Sequence, residues 1–127
     1  MQKIILGLFA TLFIGAVAHA EADADASWTQ VASYLATEQS PSYRDVLIHN
    51  PGTYSQVRVQ MDNAGYIDRF DIISHILWGS QVFGLDGHYD AGQVKTTDMG
   101  ATQVRFIRMY VRSISPGQPV HVRVWMK

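Results

Sequence analysis

Short stretches that alternate apolar and polar residues, each closed by Gly, Pro, Asn or Asp, recur about every ten residues along this chain, a spacing that suits strands and leaves no room for long helices. In residues 104–112, Ile107, Met109 and Val111 share one parity, and Phe106, Arg108, Tyr110 and Arg112 share the other. Residues 120–126 set Val120, Val122, Val124 and Met126 against His121, Arg123 and Trp125. Successive side chains on a strand point to opposite faces, so each segment has one face for a core and one for solvent. Residues 54–61 behave alike, with Val57, Val59 and Met61 opposed to Gln56, Arg58 and Gln60. Asp62-Asn63-Ala64-Gly65 supplies a turn, and residues 66–73 read as the returning strand of a hairpin.

Weaker segments complete the pattern. Residues 45–49 read as a short strand closed by Asn50-Pro51-Gly52, where proline fixes φ and glycine accepts a positive one. Residues 28–35 read as a first strand, although Trp28, Val31 and Leu35 also fit helical spacing; residues 81–85 form another, followed by a glycine-rich loop over 86–92. Seven or eight strands predict an all-β, antiparallel two-sheet sandwich of jelly-roll type, because one sheet that wide would leave an apolar face wet.

The N-terminus has a different character. Lys3 precedes an uncharged run of 14 residues, 4–17, and Ala18-His19-Ala20 offers small residues at both positions of an A-x-A cleavage signal. The run is shorter than the about 18 to 20 apolar residues of a membrane-spanning helix, so residues 1–20 read as a cleavable secretory signal and no membrane span is expected after its removal. That predicts a periplasmic or extracellular protein. Residues 21–27, Ala- and Asp-rich, read as a solvated acidic arm, and residues 28–127 as a single domain.

There is no cysteine, which excludes disulfides, thiolate metal sites and a cysteine nucleophile, so stability rests on packing. Charge is divided along the chain. Residues 21–90 hold three arginines against ten acidic residues, whereas residues 91–127 hold six cations against Asp98 alone. Mutual neutralisation between strands accounts for such a split most simply.

A family resemblance follows from Trp28, Tyr43-Arg44-Asp45-Val46, Val57-Arg58-Val59, Ile67-Asp68-Arg69-Phe70, Gly92-Gln93 with Thr96 and Thr97, and Arg105-Phe106-Ile107-Arg108-Met109. In these the chain resembles a group of small secreted bacterial β-sandwich proteins of unassigned function. The segment 75–80 departs from the Gly/Asn-rich turn that the group would carry there. The resemblance implies a sandwich and no particular activity.

If the last two strands pair through residues 113–119, Arg108, Tyr110 and Arg112 would stand beside His121, Arg123 and Trp125 on one face. Guanidinium groups bind carboxylate and phosphate bidentately and aromatic faces stack on rings, so such a face suits an anionic polysaccharide, lipid head groups or a protein partner; nucleic acid is not expected. The bland alternative is a solvated face whose arginines pair with Asp68 or Asp71. Asp86, His88 and Asp90 could together hold a cation, although their spacing matches no established loop and a polar turn is the simpler reading. Asp68 and Asp71, three apart, would face opposite sides of a strand. No Gly-x-Ser-x-Gly elbow, phosphate loop or cofactor motif is present. The chain therefore reads as a non-enzymatic binding module without a cofactor, with a small envelope enzyme built on the sandwich end loops as the alternative. Mass spectrometry of the exported protein should find Glu21 at its N-terminus, and retention of Met1 would refute the signal.

Overall fold

The computed structural model describes residues 27–37, 43–74 and 79–127. The predicted signal and most of the predicted acidic arm lie outside these residues, as do His75 and Trp78. Seven strands follow in order: β1 (Thr29–Ala36), β2 (Tyr43–Met61), β3 (Gly65–Ile73), β4 (Gly79–Gln81), β5 (Gly87–Tyr89), β6 (Val94–Ser113) and β7 (Val120–Met126). All pairings are antiparallel, in the order β1-β7-β2-β6-β3-β4, with β5 also on β3.

Two strands are far longer than the alternation indicated, at 19 residues for β2 and 20 for β6. Both are interrupted where they pair. Between the pairs Leu47↔Phe106 and Gly52↔Val104, residues 48–51 of β2 oppose Arg105 alone; between Tyr54↔Thr102 and Gln56↔Asp98, residues 99–101 of β6 oppose Ser55. Extra residues on one side of a ladder bend the strand. These bends carry β2 and β6 from one layer of the sandwich to the other. The first sheet contains β1, β7, the C-terminal part of β2 and the N-terminal part of β6; the second contains the remaining parts of β2 and β6 with β3, β4 and β5.

Asn50-Pro51-Gly52 is therefore a bulge within a strand rather than the end of one. A proline, lacking N–H, costs nothing where the ladder is already interrupted. Residues 94–103, which alternation left unassigned, continue β6; the 86–92 segment contains the short strand β5; and the strand expected over 81–85 is corrected, since β4 ends at Gln81 and the chain there turns through Gly84 at positive φ.

Both predicted hairpins are corrected. β2 pairs with β6 and β7 but not with β3, and β7 pairs with β1 and β2 but not with β6. Residues 62–64 and 114–119 instead cross from one sheet to the other. Each flanking strand has a fully apolar face, and facing it across the core buries more than pairing edge to edge would. Gly65 stands at the first crossing, where a Cβ would lie 2.7 Å from the Met61 sulfur and 3.2 Å from Val120. Asp62 ties the same corner to β7 by accepting from the His121 amide at 2.7 Å.

The apolar parities are as the sequence implies. Val57, Val59, Ile107, Met109, Val111, Val122 and Val124 are buried in one core cluster with Val31, Met61, Ile67, Phe70, Leu85 and Tyr89. Tyr89 donates its hydroxyl to the Leu85 carbonyl at 2.6 Å, and burial pushes its ionisation up. Val122→Asp would place a carboxylate at a fully buried position, a cost of several kcal/mol against a total stability of about 5 to 15. The variant should lose its cooperative thermal melt; a melt near that of the parent would refute the core assignment.

Candidate functional site

The outer face of the second sheet is built around β6, whose alternation turns Phe106, Arg108, Tyr110 and Arg112 away from the core residues Ile107, Met109 and Val111. Register sets a β2 residue on one side of the first three and a β3 residue on the other. Leu47 and Ile73 flank Phe106, Asp45 and Asp71 flank Arg108, and Tyr43 and Arg69 flank Tyr110. Tyr66 stands opposite Arg112.

Two outward arginines of β6, Arg108 and Arg112, are gripped by the same short pattern. Tyr43-x-Asp45 on β2 holds Arg108: Nε and Nη2 donate to the two carboxylate oxygens of Asp45 at 2.7 and 3.0 Å, and the guanidinium carbon stands 4.6 Å from the centre of the Tyr43 ring. Tyr66-x-Asp68 on β3 holds Arg112, with Nε 3.1 Å from Asp68 and the guanidinium carbon 4.3 Å from the Tyr66 ring. Residues two apart on a strand share a face, so one Tyr-x-Asp presents both a ring and a carboxylate to one cation. Tyr43 also packs against Tyr110, with ring centres 5.6 Å apart.

A bulge in β3 completes the arrangement and corrects the assignment of Asp68 and Asp71 to opposite sides. Ile67 pairs with Val111, but Arg69 pairs with Tyr110, so Asp68 is an extra residue. Ile67 and Phe70 remain buried while Asp68 and Arg69 both turn outward. Asp71 then lies on the same face, with the Arg69 Nε 2.9 and 3.0 Å from its oxygens. These pairs join the cation-rich end of the chain to its acid-rich part, so Arg112–Asp68 and Arg108–Asp45 supply the neutralisation implied by composition.

Over Arg108 lies an open concavity of about 410 Å³, lined by Asp45, Asp71, Ile73, Gly79, Phe106 and Arg108. Two carboxylates in one concavity invite comparison with acid–base catalysis, where one carboxyl must keep its proton near neutral pH. Asp45 is shifted the opposite way: the hydrogen bond from Arg108 holds its carboxyl below the usual range, and that bond in turn raises the Arg108 guanidinium. Asp71 is occupied by Arg69. The arrangement offers fixed donors and acceptors.

The other three residues of the predicted face lie elsewhere, because β7 belongs to the first sheet. His121 and Arg123 are half-buried there, and the His121 ring meets the Ser33 hydroxyl. Trp125 is 2 % exposed, in register with Gln30 of β1 and Arg58 of β2, so its indole has no free surface for stacking. Arg58 lies 4.2 Å from the Trp28 ring centre, which makes Trp28 part of the first sheet's surface. The predicted cation loop is not assembled as a metal site. Asp86, His88 and Asp90 are exposed, the Lys95 ammonium donates to the Asp86 carbonyl at 3.0 Å, and among the described residues no three His, Cys, Asp or Glu side chains converge on one point.

Alternation put Arg108, Tyr110 and Arg112 on one outward face, where the structure has them. It missed Tyr43, Asp45, Tyr66 and Arg69, although the two Tyr-x-Asp triplets were visible as a repeated pattern.

No protein family model matches the chain, and no curated protein matches it. Among solved structures, the CBM32 of AlyQ in complex with 4,5-unsaturated mannuronic acid is similar, with a TM-score of 0.51 and 17% sequence identity over 100% of this chain and 98% of that one. The likeness is one of fold and supports the all-β sandwich.

The pH dependence of the Arg108–Asp45 pair is testable. A depressed carboxyl stabilises the fold above its unfolded pKa, and that contribution is lost as pH falls through the folded value. The Asp45 side-chain carbon, followed by NMR, should titrate below 3.8, and in Arg108→Gln it should return toward 3.8. Identical titrations in both proteins would refute the pairing.

Proposed function

We propose that this chain is an exported, non-catalytic binding module that holds an acidic carbohydrate polymer on the outer face of its second sheet. The observation that carries the reading is the pair of guanidinium groups, Arg108 and Arg112, each fixed by a carboxylate and a tyrosine ring on an accessible sheet face. A guanidinium has five N–H donors. Asp45 engages two of those on Arg108, which leaves further donors for a sugar hydroxyl or carboxylate, while Tyr110 and the half-exposed Tyr43 offer rings for stacking. The ion pairs fix the orientation of these donors before a ligand arrives, and binding then immobilises fewer side chains.

Two further observations support the ligand class and the compartment. The solved structure of similar fold is a module in complex with an unsaturated mannuronic acid. The leader-like residues 1–20 agree with a periplasmic or extracellular site of action.

Immobilised polymannuronate should retain the protein at low salt and release it as salt rises, since exposed charges are screened over about 10 Å at 0.1 M. Arg108→Gln with Arg112→Gln should pass through unretained. Equal retention of the arginine double variant and the parent would overturn the reading.

A further inference from the structure

A second concavity, also of about 410 Å³, lies between the end of β4 and the bend of β6 and shares no lining residue with the first. We propose that it is a separate subsite for an uncharged sugar ring, an inference that rests on the carbohydrate reading above and adds a site of opposite electrostatic character to it. Its volume lies toward the lower end of the roughly 300–1,000 Å³ of small-molecule sites, suited to one or two rings.

The rim carries Phe83, which is 70 % exposed. A phenylalanine left in water forgoes the burial that its ring would gain in a core, and its flat face matches the apolar C–H face of a pyranose. The backbone that presents it is fixed. On one side the Val82 amide donates to the Phe70 carbonyl at 2.8 Å, which anchors the chain to β3. On the other, Gly84 has φ of 98°, and a Cβ there would stand 2.9 Å from the Thr97 hydroxyl, so only glycine lets this segment lie so close to β6. Phe83 is a ring mounted on an ordered loop.

Facing it are polar groups placed by the β6 bulge. Asp98 accepts from the Gln56 side-chain amide at 2.7 Å through Oδ1, which orients the carboxylate and leaves Oδ2 open among the described residues. Thr102 donates its only hydroxyl hydrogen back to the Met99 and Gly100 carbonyls, both at 3.0 Å, so its oxygen accepts from a ligand. Gln81 and Ser80 add an amide and a hydroxyl. No basic residue lines the concavity, and Asp98 repels a uronate. Acceptors opposite a ring, without a cation, select hydroxyl groups on an uncharged sugar.

Amide NMR spectra recorded with glucose, galactose, mannose and N-acetylglucosamine in turn, and separately with a mannuronate oligomer, test the proposal. At least one neutral sugar should shift the amides of residues 80–83 and 97–102, and the mannuronate oligomer should leave them unmoved. Phe83→Ala should weaken that neutral sugar about tenfold, with Phe83→Trp retaining it. The proposal is overturned if none of the four sugars moves these amides, if the mannuronate oligomer moves them equally, or if Phe83→Ala binds as the parent does. Shifts at Arg108, Tyr110 and Arg112 with mannuronate report on the outer face independently, so either site can fail without the other.

Discussion

Two strands belong to both sheets, and everything else in the molecule is arranged around that fact. β2 and β6 run side by side, bend at paired interruptions, and leave their two ends in different layers. Neither layer is a complete sheet without them. The bends also shape the surface: the bulge at residues 99–101 forms a wall of the concavity beside Phe83, and the far ends of the same strands supply Asp45, Arg108 and Arg112 to the outer face. A local irregularity in hydrogen bonding thus both folds the sandwich and shapes its surface.

The outer face depends on a second device, the repeated Tyr-x-Asp clamp. A lone exposed arginine samples many rotamers, and a partly exposed ion pair contributes little to stability. The clamp's effect is directional. It reduces a flexible cation to a planar group of defined position, with a carboxylate on its edge and a ring beneath it. Because Asp71 and Arg69 continue the alternation of charge on β3, the face offers donors and acceptors in close succession instead of a uniform field.

Parity was legible in the sequence, whereas adjacency was not. Val57, Val59, Met109 and Val124 announce their inward direction by alternation, and all are buried. Alternation does not say which strand lies beside which. The turn-like residues 62–65 and 113–119 describe a hairpin and a crossing between sheets equally well, and so the two triplets of the expected face were separated. Asp68 shows a second limit. One extra residue in a ladder resets the parity of everything beyond it, and nothing in Ile67-Asp68-Arg69 marks the insertion beforehand. Trp125 shows a third, since an outward position on an interior strand of a sheet can still be inaccessible.

The pairing of β1 with β7 sets the order in which the molecule can form. Residues 29–36 find their hydrogen-bonding partner only at residues 120–126, and of the consecutive strands only β3 and β4 are ladder neighbours. Closing such loops costs chain entropy before any pairing offsets it, which places folding among the slow, millisecond-to-second processes of topologies rich in distant contacts. The first sheet must wait, with the edges of β1 and β2 exposed, until the residues of β7 are in place. An unfilled slot of that shape is open to a strand from a second molecule, which makes the incomplete first sheet the part of the folding chain most exposed to association.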